Sequence, residues 1–195
     1  MTNEEKILKV VKEKGYITGM LVAEMGIDTW YLSSLVEKGK IQRIGRGVYI
    51  HNEGTYDEYF VFQYQYSKAI YSYSTALFLH ELTESIPSNH EVTVYQGYNA
   101  HRFPDNVTVH YVQKDIYGLG AAEYESPYGN QIKVYDKERT LCDLVISKRV
   151  VESEVFKQAF QEYFRQSKKD VNKLMKYAKR MNIETEMFKL VEVLS

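Results

Sequence analysis

The sequence predicts an α+β protein in two parts, a small helix-and-hairpin module and a larger mixed domain. Three observations predict it. The first fifty residues read as helix, helix, tight turn, helix and then two short strands around Gly45-Arg46-Gly47. Between Glu91 and Tyr135, apolar and polar residues alternate in short runs separated by turn residues, the period of strands. From Asp136 onward, apolar residues return at helical spacing. The opening order is that of a winged helix-turn-helix, which places one helix in the DNA major groove. The expected boundaries are 1–52 for this module and 56–195 for an α+β domain with a small β-sheet and a C-terminal helical end. The polar stretch Asn52–Thr55 joins them.

In the module, a first helix of about Asn3 to Lys14 packs with Ile7, Val10 and Val11, and Gly15 closes it. A second, about Thr18 to Met25, is capped by Thr18 and turns Leu21, Val22 and Met25 inward. Gly26 supplies the turn. Asp28 caps the next helix, because its carboxylate accepts from the open N–H groups of the first turn. Leu32, Leu35 and Val36 define its buried face, and Lys38-Gly39 end it. About 100° per residue puts Trp30, Ser33, Ser34 and Glu37 on the opposite face, flanked by Thr29, Tyr31 and Lys38. Lys40–Ile44 and Val48–His51 read as the strands of the hairpin, with Arg46 at its tip.

The candidate partner is double-stranded operator DNA. Thr29, Trp30, Tyr31, Ser33 and Ser34 form the candidate groove-facing surface; an outward Trp marks a contact more often than a solvated face. The competing structural reading is that Trp30 folds back onto the hairpin or the second domain. Lys38, Lys40, Arg43 and Arg46 form a cationic run suited to phosphates, because Lys and Arg release condensed counterions. A charge run alone is usually a solvated face; following a helix-turn-helix pattern, it gains meaning.

Composition narrows the classes. In 195 residues, 44% hydrophobic content is that of a folded chain, and the 18 tyrosines are abundant. No apolar run is long enough to span a bilayer and Met1 opens no signal peptide, so the expected location is cytoplasmic, without membrane partners. The lone Cys142 allows no intrachain disulfide and fits a reducing compartment. The net charge of −1 argues against nonspecific nucleic-acid coating. Its placement is uneven: residues 1–52 carry 8 Lys and Arg against 6 Asp and Glu, the remainder 17 against 20. A basic module on a mildly acidic domain suits DNA binding through one end.

The second domain opens with an aromatic-rich helix, Asp57 to about Lys68. A short strand at Ala69–Tyr73 follows, then a helix capped by Ser74 or Thr75 and stopping before Pro87. Strands are expected at Glu91–Tyr95, Val107–Val112, Ala121–Ser126 and Gln131–Tyr135, the last two joined by the turn Pro127-Tyr128-Gly129-Asn130. Asp136 caps a helix carrying Leu141, Cys142, Leu144, Val145 and Ile146. Three more helices follow, at about Glu152–Arg165, Lys168–Met181 and Glu184–Leu194.

Three stretches carry a resemblance. Arg46-Gly47-Val48-Tyr49 closes the hairpin, Tyr73-Ser74-Thr75-Ala76-Leu77 follows, and Glu138-Arg139-Thr140-Leu141-Cys142-Asp143-Leu144 opens a helix. In this order and spacing the chain resembles the AbiEi family, antitoxins of type IV toxin–antitoxin systems associated with abortive phage infection. The resemblance covers nearly the whole chain. It implies a winged helix that binds operator repeats and represses its own operon. It also implies a C-terminal domain that counters a nucleotidyltransferase-type toxin without a stable antitoxin–toxin complex. Trp30, Ser33 and Ser34 stand where more basic members carry arginines.

Chemistry elsewhere is sparse. No phosphate-cradling glycine loop of either common type is present, and no cofactor or metal is expected. His80-Glu81-Leu82-Thr83-Glu84 imitates a zinc-binding helix but lacks its second histidine, so a surface His–Glu pair is the expectation. Cys142 sits on an apolar helix side and is expected to be buried. Pro104-Asp105 with Gln131-Ile132-Lys133 faintly resembles a nuclease arrangement, with Gln in place of the second carboxylate. The expectation is therefore a non-enzyme. Its rivals are a winged helix attached to a nuclease-like or transferase domain, and a pure protein-interaction module. Last, Arg165 to Arg180 holds seven basic residues and one acid. Lys169, Lys173, Lys176 and Arg180 gather opposite an apolar stripe. They form a candidate second polyanion site, for DNA or RNA, against the plain reading of a solvated face.

Overall fold

The computed structural model describes residues 1–147 and 153–194. The fold is α+β. Two compact units divide the chain: Met1–Ser67 with Glu125–Ile132, and Lys68–Tyr124 with Lys133–Ser195. The first unit thus runs past Asn52–Thr55, the stretch expected to be a linker. Contacts over long sequence separations explain why. Tyr16 packs its ring on Phe60 at 4.4 Å, and the buried Asp57 accepts from Ser126 Oγ at 2.5 Å and Asn130 Nδ2 at 2.9 Å.

In unit 1, α1 (Asn3–Lys14) opens on a capping box. Thr2 N–H donates to Glu5 at 2.8 Å while Glu5 N–H donates to the Thr2 hydroxyl at 3.2 Å. β1 (Ile17–Thr18) is followed by α2 (Gly19–Glu24), whose Leu21 N–H donates to the Thr18 hydroxyl at 3.1 Å. Then come α3 (Trp30–Glu37), β2 (Ile41–Gly45), β3 (Val48–His51) and α4 (Glu58–Gln65). The sheet order is β1-β3-β2, all antiparallel. Ile7, Val11, Ile17, Val22, Leu32, Leu35 and Ile41 make the core. β1 escapes a sequence reading because two residues show no alternation; it exists through its pairing with Tyr49 and Val48.

In unit 2, β4 (Ile70–Tyr71) leads to α5 (Tyr73–Leu79), β5 (His90–Tyr95), β6 (Val107–Val112) and α6 (Lys114–Tyr117). β7 (Ala121–Glu125) and β8 (Gln131–Tyr135) follow, with Glu125 and Gln131–Ile132 counted in unit 1, then α7 (Lys137–Ile146), α8 (Ser153–Arg165), α9 (Val171–Arg180) and α10 (Glu184–Leu194). The expected start of α8 at Glu152 lies outside the described residues. The sheet order is β6-β5-β4-β8-β7. β5 runs parallel to β6 and β4 parallel to β8, with β4 and β5 antiparallel. Leu77, Leu141, Leu144, Phe160, Tyr163, Leu174 and Met187 form the core under the helical end. No described helix is long and apolar enough to cross a membrane.

The helix α5 stops at Leu79, well short of Pro87. Glu81 takes a left-handed φ of 57° and Leu82 N–H closes on the Leu77 carbonyl at 2.8 Å. His80, expected on the surface beside Glu84, is buried instead. Its Nε2–H donates to the Tyr135 carbonyl at 2.6 Å. With no helix through residues 80–84, the zinc-like spacing has no geometric meaning.

Gly120 shows how tightly unit 2 closes around Arg139. Its φ is 76°, its carbonyl accepts the Asp136 N–H at 2.7 Å, and an added Cβ would lie 2.5 Å from Arg139 Cβ. Gly120→Ala is expected to cost about 2–3 kcal/mol in urea unfolding. Gly118→Ala, which meets nothing within 4 Å, serves as the control and should stay within about 0.5 kcal/mol. Equal effects at the two positions would refute this account of the packing.

Candidate nucleic-acid interface

The helix α3 begins where the Asp28 carboxylate accepts the Trp30 N–H at 2.9 Å. It ends where Gly39 N–H reaches the Val36 carbonyl at 2.9 Å and Lys40 N–H the Leu35 carbonyl at 3.0 Å. Leu32 and Leu35 are buried. Thr29, Trp30, Ser33 and Glu37 are exposed and Ser34 is half-buried, so the outward face is the expected one. Two side chains differ from expectation. Val36, assigned to the buried row, is 36% exposed, because Tyr31 packs against the core on the other flank. Tyr31 is accordingly half-buried, and Trp30 stacks on it with centroids 4.5 Å apart at 14°. Trp30 stays 56% exposed and does not fold back onto the hairpin.

The hairpin presents Arg43 and Arg46, both exposed. A bulge between Arg43 and Gly45 bends β2, and Arg43 Nε donates to the Gly45 carbonyl at 3.1 Å. The tip is backed from α4, a support the sequence does not reveal. Arg46 N–H approaches Gln65 Oε1 at 3.5 Å, and a Cβ on Gly45 would lie 2.3 Å from Gln65 Nε2. Next to the tip, Gly19 N–H donates to the Gly47 carbonyl at 3.1 Å and ties α2 to the hairpin. Of the four expected cations, Lys38 pairs with Glu4 of α1. Lys40, Arg43 and Arg46 remain as the exposed cationic set of this group.

Residues 5–50 match the family model described as transcriptional regulator, AbiEi antitoxin. The AbiEi match begins in α1 and ends in β3, so it spans the helices and hairpin just described and stops before α4. It agrees with the resemblance read in the sequence and supports a DNA-binding antitoxin role. No curated protein matches the sequence.

The structure redistributes the second basic group. Lys173 is half-buried and bridges Asp136 at 2.9 Å and Glu138 at 3.1 Å. Burial works against its charge, but those two carboxylates outweigh burial and push the ammonium pKa up. Lys173 therefore ties α9 to the start of α7, and the stripe loses its central member. Lys169, Lys176 and Arg180 stay exposed, with Lys169 ahead of the helix, which starts after the capping Asp170. Cys142 is buried and its thiol pKa is pushed up by desolvation. Asp105 precedes β6 while Lys133 lies in β8, with β5 and β4 between them, so the nuclease-like pair is not assembled.

Proposed function

We propose that the N-terminal module is a winged helix-turn-helix that binds operator DNA, with α3 in the major groove and the hairpin against the backbone. The chain is then an antitoxin that represses its own operon from the cytoplasm. Through its second unit it counters a nucleotidyltransferase-type toxin in phage defence, without a stable complex. The observation that carries this reading is the coincidence of the family match with a helix whose polar face, opening at Thr29 and Trp30, lies opposite the core. Recognition helices touch base edges mainly with their N-terminal residues, where Trp30 and Ser33 stand. Trp30 offers apolar contact to thymine methyls, and Ser33 and Ser34 permit close approach.

The test is a gel shift with the DNA upstream of the protein's own gene, across a salt series. Arg46→Ala is expected to weaken binding and lower the salt slope by about one phosphate contact. Lys38→Ala is expected to change the slope less, because Glu4 already neutralises Lys38. An unchanged slope and affinity in Arg46→Ala would remove the hairpin from the mechanism. For the antitoxin half, co-expression with a nucleotidyltransferase-like neighbouring gene should restore growth.

A further inference from the structure

Unit 2 contains a cavity of about 350 Å³, within the range of small-ligand sites. One corner is polar. Ser74 Oγ donates to Glu91 Oε1 at 2.5 Å, His110 Nε2 donates to Glu91 Oε2 at 2.6 Å, and Glu91 N–H is held by Thr75 Oγ1 at 2.8 Å. The ring of Tyr73 stacks on His110 at 3.8 Å and 28°. Leu77 and Leu144 supply apolar wall, and Ile86, 77% exposed, stands at the rim.

Tyr73 has a φ of 48°, a conformation that bulky residues rarely adopt and that clusters at functional sites. The hydrogen-bond inventory then limits what the corner can bind. The Ser74 proton and the His110 Nε2 proton are both committed to the carboxylate. What they leave is acceptor capacity, on the Glu91 carboxylate, which Ser74 also meets through its backbone N–H, and on the Ser74 hydroxyl. Burial alone would raise the Glu91 pKa; the hydrogen bonds from His110 and Ser74 outweigh it and hold the carboxyl below its ordinary range. Among the described residues lining the cavity, Glu91 is the one carboxylate, and no Lys or Arg stands with it. A ligand that brings donors suits this corner, and a carboxylate matches two parallel N–H groups on one planar edge.

We propose that this cavity binds a small planar ligand with an amidine-type donor edge, received by Glu91 beside the Tyr73–His110 stack. The same edge occurs in guanidinium compounds and in guanine. The site lies wholly within unit 2 and does not depend on DNA binding.

Calorimetric titration of the full chain with benzamidine, agmatine and guanosine tests it, with putrescine and adenosine as controls. Benzamidine and at least one of the other two should bind at one site. Agmatine alone would identify a guanidinium source, guanosine alone a base. Glu91→Gln should weaken binding at least tenfold, and Ile86→Trp should obstruct the rim with the fold intact by circular dichroism. If Glu91→Gln does not fold, Ile86→Trp decides. The proposal is overturned if none of the three binds at millimolar concentration, or if putrescine or adenosine binds equally well. It is also overturned if the folded variants bind unchanged.

Discussion

Arg139→Met is expected to lower the stability of unit 2 by about 3–5 kcal/mol, the cost of leaving one member of a buried ion pair alone. Arg139 is fully buried. Its Nε donates to Asp143 at 3.0 Å, its Nη1 to the carbonyls of Ile116 at 2.7 Å and Leu119 at 2.9 Å, and its guanidinium lies 4.1 Å from the Tyr135 ring centroid. One side chain thus joins α7 to the turn after α6. Its loss strands the Asp143 carboxylate. Burial pushes that carboxyl up to about 6 against the pull of Arg139; without Arg139 only the upward push remains. A carboxyl whose folded pKa exceeds its unfolded value binds its proton more tightly in the folded state, so stability rises as pH falls through that folded pKa. The deficit in Arg139→Met should therefore be smaller at pH 5 than at pH 8. Arg139→Met/Asp143→Leu should recover part of it, but not all, because the Ile116 and Leu119 carbonyls still lose the hydrogen bonds that the guanidinium gave them. Urea unfolding at both pH values checks this. A deficit below about 1 kcal/mol, well under the range for a broken buried pair, would mean the pair contributes little.

Ser33→Glu is expected to reduce specific DNA binding by about a hundredfold or more, as a like charge is brought against the phosphates. Stability should hold within about 0.5 kcal/mol, since Ser33 is exposed and Glu is the better helix former. Two neighbours settle the helix orientation. Trp30→Ala should weaken binding with the fold intact, because the indole is mostly outside. Tyr31→Ala should destabilise the module, because the phenol packs on the core. The opposite pattern, with Trp30→Ala unfolding and Ser33→Glu binding normally, would show that this face is internal.

What the sequence by itself determined is whatever depends on neighbours a few residues apart. Thr2 and Glu5 start α1, Asp28 starts the next helical stretch but one, and Asp136 starts α7, each by bonds within three residues. β6 and β8 fall at the expected residues because alternation is a local signal. The outward face of α3 was legible for the same reason, through helical spacing. Only the tertiary structure decided which charges are available. Lys38 and Lys173 look like members of cationic runs, but their neutralisers, Glu4 and Asp136 with Glu138, lie more than thirty residues away. It also decided that β5 and β6 run parallel, that His80 is buried, and that Ser74, Glu91 and His110 meet at one cavity corner. A sequence displays a side chain's charge and donors but not its partner. A buried or paired group takes its character from that partner, which the fold brings to it.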